Sequence, residues 1–135
     1  MKHDPFGNLT DWGAVLSMIE EFAATDSLSE YQHGLIRILR YKGNWRLREE
    51  ILKRAGDIKS PTPELILQLI ELLADDNLYY DARVLSGEAL IQLLSRNKAD
   101  ISSEIGYKIT TTVEKLRSTP QPTYFDKILS RLYSV

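Results

Sequence analysis

The sequence contains no cysteine. That absence removes disulfides, thiol nucleophiles and thiolate metal sites together, and it fits a reducing compartment. Histidine is nearly as scarce, with His3 and His33 the only two. The seven glycines are scattered, and none belongs to a Gly-rich turn of the kind that cradles phosphate ahead of a helix. No Gly-x-Ser-x-Gly nucleophile elbow occurs. No apolar run approaches the roughly 18 residues needed to cross a bilayer, and the longest, Leu65 to Ala74, is interrupted by Gln68 and Glu71. The opening Met1-Lys2-His3-Asp4-Pro5 lacks the basic-then-apolar pattern of a signal peptide. A net charge of −2 offers no global field for a polyanion. The expectation is therefore a cytoplasmic, non-catalytic protein with no cofactor, no metal and no membrane partner.

One histidine pattern bears on metal chemistry. Glu30 and His33 stand three residues apart, the spacing used by di-iron helical bundles. Such a site takes two of these pairs and further carboxylates, and the chain has a single pair. His33 reads as an ordinary helix residue.

With 43% apolar and 27% charged residues, the chain has material for one folded domain spanning 1–135. The apolar residues recur at steps of three and four, the signature of helices with one buried face. Leu9, Trp12, Val15, Leu16, Ile19, Phe22 and Ala23 make a first helix, capped by Asn8 or Thr10. Ser27 and Glu30 have capping-box spacing for a second helix carrying Tyr31, Leu35, Ile38 and Leu39. Gly43-Asn44 stops it, and a third helix starts at Trp45. In Thr62-Pro63-Glu64, the threonine fits an N-cap, the proline the first helical position and the carboxylate the positive end of the dipole. That fourth helix ends at Asp75-Asp76-Asn77, and a fifth starts near Tyr80. Asp100 is placed to cap a sixth, which includes the β-branched run Lys108 to Val113, and Thr123 with Asp126 opens a seventh. The β-branched run favours strand by propensity. The steps of four continue through it, however, and no other segment alternates with period two, so it reads as helix.

Two segments superpose. Leu47-Arg48 through Ile58 and Ala82-Arg83 through Leu93 align their arginines 35 residues apart, with small or apolar residues three, seven and ten positions later. Each segment follows an apolar helix and a polar turn. A helix–turn–helix period of this length is the mark of a solenoid, in which one hairpin cannot bury its apolar face alone and neighbours must stack.

At these residues the chain resembles the HEAT-repeat family, including the short bacterial HEAT-like repeats named after phycobilisome lyases. The matching features are Leu72-Leu73-Ala74-Asp75-Asp76, Ala82-Arg83 with Ala89-Leu90, and Leu47-Arg48 with Ala55-Gly56. The resemblance implies an all-α, short right-handed α-α superhelix of six to seven helices, with central repeats at about 28–59 and 62–97 and capping helices in 1–27 and 99–135. It also implies a structural role for Arg48 and Arg83, reaching acidic or carbonyl groups between adjacent repeats. Their positions beside apolar residues at helix starts agree with that role.

Charge is distributed unevenly. Residues 37–54 hold seven cations against Glu49 and Glu50, a local net of +5, whereas 10–30 and 61–81 each carry five carboxylates and no lysine or arginine. This basic band reads either as a site for phosphate or acidic peptide or as a solvated face with ion pairs to its flanks. Trp45, Tyr79 and Tyr80 stand at the starts of the second helices, as interface anchors or as staples that pack a turn.

A solenoid of this kind binds on the surface of its second helices. The exposed positions expected there are Trp45, Arg46, Glu49, Lys53, Tyr80, Val84 and Glu88. Their mixture of signs and aromatics fits a protein or peptide partner, and a scaffold or adaptor is the leading expectation. Nucleic-acid binding through 37–54, as in the HEAT-like DNA glycosylases, is the alternative, and an enzyme subunit resembling a bilin lyase is the third.

Overall fold

A computed structural model describes residues 2–135. Seven α-helices account for its regular structure: α1 Trp12–Ala24, α2 Gln32–Arg40, α3 Trp45–Ala55, α4 Pro63–Ala74, α5 Tyr80–Arg96, α6 Ser103–Arg117 and α7 Thr123–Ser134. No strand occurs among the described residues. Short 3-10 turns at Leu28–Tyr31 and Lys98–Asp100 lead towards α2 and α6.

Helix starts follow local chemistry. The Thr62 hydroxyl accepts from the Leu65 N–H at 3.2 Å, with Pro63 at the first helical position. Asn44 Oδ1 accepts from the Arg46 N–H at 2.9 Å at the start of α3. The expected cap of α6 is displaced. Asp100 lies in the preceding 3-10 turn, and Ser102 caps instead, accepting from the Ile105 N–H at 3.2 Å. The Ser27–Glu30 capping box does not form, because the Ser27 hydroxyl turns back to donate to the Phe22 carbonyl and α2 begins only at Gln32. Thr123 opens α7 as its first residue, and Asp126 accepts from Arg117 Nε at 3.2 Å. The run 108–113 is helical, as expected. Thr110 and Thr111 each donate a hydroxyl to a carbonyl one turn back, so their polar atoms are satisfied within α6.

Packing places the helices in two rows. Successive neighbours in one row are α2, α4 and α6, and in the other α1, α3, α5 and α7, with α2/α3, α4/α5 and α6/α7 in contact between rows. A continuous apolar core runs through both rows, from Val15 and Ile19 on α1 to Phe125 and Leu129 on α7. Buried polar groups tie the hairpins together. Gln32, only 2% exposed, donates to the Ser29 and Ser60 carbonyls and accepts from the Thr62 N–H. The Ser86 hydroxyl donates to the Leu69 carbonyl at 2.6 Å.

The chain before α1 departs from the sequence expectation. Helix α1 begins three residues after Leu9, and residues 2–8 form an irregular strap held against α2 through Asp4 and Phe6. Phe6 is buried, and its ring lies 2.6 Å from where a side chain on Gly34 would begin. Gly34 thus serves the approach of this strap rather than of another helix. Gly87 does serve helix packing, because a Cβ there would collide with Ile128 on α7.

Candidate interaction groove

The second-row helices α3 and α5 run side by side. Their starts, with the α4–α5 turn, enclose a groove of ≈ 430 Å³. Helix α3 contributes Trp45, Arg48 and Glu49, the turn Asn77, Leu78 and Tyr79, and α5 Asp81, Ala82 and Leu85. The turn is fixed locally: Asp75 accepts from the Asn77 N–H through its side chain at 2.9 Å and from the Leu78 N–H through its carbonyl at 3.1 Å. Two large aromatics remain open to solvent here, Trp45 at 64% and Tyr79 at 90% exposure.

The structure divides the seven residues expected to share one surface. Trp45 and Glu49 line the groove. Tyr80 and Val84, four residues apart on α5, point to its other side, towards α7. The Tyr80 ring packs edge-on to Phe125 and Tyr124, its hydroxyl donates to Gln121 Oε1 at 3.1 Å, and Val84 packs against the core. Tyr80 is therefore a staple, while Trp45 and Tyr79 stand free. Arg46, Lys53 and Glu88 are exposed and do not line the groove. Lys53 pairs with Glu49 at 3.1 Å and lies 3.9 Å from Glu50. Sequence reasoning had placed Tyr79 at the rim but not in the surface, and had passed over Asn77, Leu78, Asp81, Ala82 and Leu85. The available signal was helical phase: residues 82, 85 and 89 fall on the flank of α5 that faces α3, and 80, 84 and 87 on the flank that faces α7.

The two aligned arginines differ. Arg83 is 3% exposed; its Nε donates to the Leu73 carbonyl at 2.9 Å, and its guanidinium lies over the rings of Phe125 and Tyr80 at 4.6 and 5.1 Å. Arg48 is half-buried in the groove and makes no side-chain hydrogen bond or ion pair among the described residues.

Much of the basic band is engaged. Arg37 on α2 donates to Asp4 at 2.5 Å and to the Gly7 carbonyl at 2.8 Å. Arg40 donates to Gln68 at 2.6 Å, and Arg54 pairs with Glu50 at 3.5 Å. These partners lie in the N-terminal strap, on α4 and within α3, not in the acidic stretches' carboxylates. Burial acts to raise the Asp4 pKa, but hydrogen bonds from Arg37 and the Phe6 N–H, with the attraction of Arg37, hold it below the ordinary carboxylate range.

Among the described residues, no group of three His, Cys, Asp or Glu is placed to hold a metal ion, and no helix is long and apolar enough to cross a membrane. Comparison with family models, curated proteins and solved structures finds no match to this chain.

Proposed function

We propose that this chain is a short HEAT-like scaffold or adaptor, without catalytic activity of its own, that takes a segment of a protein partner in the groove between α3 and α5. The observation that carries this reading is the pair of exposed aromatics, Trp45 and Tyr79, at one apolar groove floored by Leu78, Ala82 and Leu85. Solvent-exposed tryptophan and tyrosine beside an apolar depression are the residue types that dominate binding energy at protein interfaces. The two-row packing, in which each hairpin touches the next through both of its helices, supports the solenoid reading, on which the groove is a seam between neighbouring repeats. Duplex binding through 37–54 has less support, since Arg37, Arg40, Lys53 and Arg54 are each held by a partner within the chain.

Selection of short peptides from a displayed library on the wild-type protein tests the proposal. Peptides recovered this way are expected to lose roughly tenfold or more in affinity on Trp45→Ala with Tyr79→Ala. Both side chains are exposed, so the fold is expected to survive the change. Selected peptides that bind the double variant as well as the wild type would overturn the groove as the site.

A further inference from the structure

We infer that the segment taken by this groove presents an arginine or lysine side chain to Trp45, Tyr79 and Asp81, within an otherwise apolar stretch; this rests on the peptide-binding reading above. The groove's own charges make the choice. Two carboxylates line it, Glu49 on α3 and Asp81 on α5, against the single cation Arg48. Asp81 makes no side-chain hydrogen bond or ion pair among the described residues, whereas Glu49 already holds Lys53. The adjoining turn adds Asp75 and Asp76, and residues 61–81 contain no lysine or arginine. Asp76 leans on Arg83 only at 3.7 Å and stays 89% exposed.

An incoming anion would meet the unpaired Asp81 at the groove, while a cation meets that carboxylate and two open aromatic rings. Aromatic faces attract a cation through the ring quadrupole, and a neighbouring carboxylate adds to the attraction. The stem of lysine or arginine is itself apolar and lies well along Leu78, Ala82 and Leu85. Arg48 fits the same occupant. Half-buried and without an internal acceptor, it has donors left for the backbone carbonyls of an extended segment, which every peptide carries.

Peptide pools with randomised apolar flanks and a fixed central residue test the inference. The central residue is arginine, citrulline or glutamate, citrulline keeping the shape of arginine without its charge. Trp45 emission reports binding in a Trp12→Phe background. The arginine pool is expected to bind about tenfold tighter than the citrulline pool at low salt, with the glutamate pool weakest. Asp81→Asn is expected to weaken arginine binding more than citrulline binding, reducing the arginine preference to a few-fold. Equal binding of arginine and citrulline pools, or a preference for glutamate, overturns the cationic occupant while leaving peptide binding intact. If no pool alters Trp45 emission or binds by anisotropy, the peptide-binding reading falls with it.

Discussion

The guanidinium of Arg83 sits 4.6 Å from the centroid of the Phe125 ring, joining α5 to α7 across a buried seam. The same side chain donates to the carbonyl of Leu73 near the end of α4, so one residue links three helices. Arg83→Ala removes the hydrogen bond and the ring contact and leaves a buried carbonyl without this donor. The expected loss of stability is about 2–4 kcal/mol. Arg83→Met, which keeps the stem over the rings and buries no charge, is expected to lose less. Arg48→Ala, at the aligned position, is expected to change stability by no more than about 1 kcal/mol. Urea unfolding of the three variants decides the matter. Similar losses at both arginines would mean that Arg48 ties its neighbouring helices together as Arg83 does.

That contrast shows what the sequence could and could not disclose. Apolar steps of three and four located all seven helices, since a buried helical face needs that spacing whatever it packs against. The Thr62-Pro63-Glu64 start was legible because its hydrogen bond closes within one turn. Asp100 and Ser102 compete for one cap two residues apart, and only the path of the preceding 3-10 turn chooses between them. The strap was missed because Phe6 is a lone aromatic with no periodicity around it, and its pocket is made by Gly34, distant in sequence. For the groove, Trp45 was found by its place at a helix start. Tyr80 was misgrouped with it because adjacent residues on a helix point about 100° apart. Tyr79 faces water and Tyr80 faces Phe125, a difference fixed by α7, more than forty residues later.

The strap gives the protein a pH-dependent contact. Asp4 accepts from Arg37 and from the Phe6 N–H, and its folded-state pKa lies below the ordinary value, which is about 3.9 in an unfolded chain. A depressed carboxylate contributes stability that is fully present above the unfolded value and is lost as pH falls through the folded one. Asp4→Asn is therefore expected to be less stable than wild type at neutral pH, with the difference shrinking below about pH 4. Denaturation midpoints of both proteins across that range test it. A difference that stays constant into acid would show that the carboxylate's ionisation plays no part.

Asp26 occupies the left-handed region, with φ 55°, immediately after the last residue capping α1. A side chain is strained there and glycine is the favoured occupant. Its carboxylate pairs with Lys59 at 2.5 Å, but both side chains are 70% exposed, and a pair so open to solvent contributes little. Backbone relief is thus expected to outweigh the lost ion pair. Asp26→Gly should raise stability by about 0.5–1 kcal/mol, while Lys59→Ala should change it little. Thermal unfolding of both variants measures the balance, and a destabilised Asp26→Gly protein would give the ion pair the larger share.

Two helical glycines separate packing from propensity. Glycine in a helix interior is less favourable than alanine by up to about 1 kcal/mol, so replacement is stabilising wherever the added methyl finds room. At Gly106 in α6 the methyl position has no atom within 4 Å beyond the adjacent residues and the helix's own backbone. Gly106→Ala is accordingly expected to stabilise by about 0.5–1 kcal/mol. At Gly87 the methyl would overlap Ile128 Cγ2 on α7 and approach Leu73 Cδ1 to 3.3 Å. Ile128 is buried among core side chains and has little freedom to withdraw, so α5 and α7 must move apart. Gly87→Ala is expected to destabilise by about 1–3 kcal/mol despite the gain in propensity. Ile128→Ala in the same chain removes the clashing γ2 methyl, so the double variant should lose less than the two single losses added together. Unfolding free energies of the single and double variants form a cycle whose coupling term reads the α5–α7 contact directly. A coupling near zero would mean that the two helices do not meet at this pair of residues.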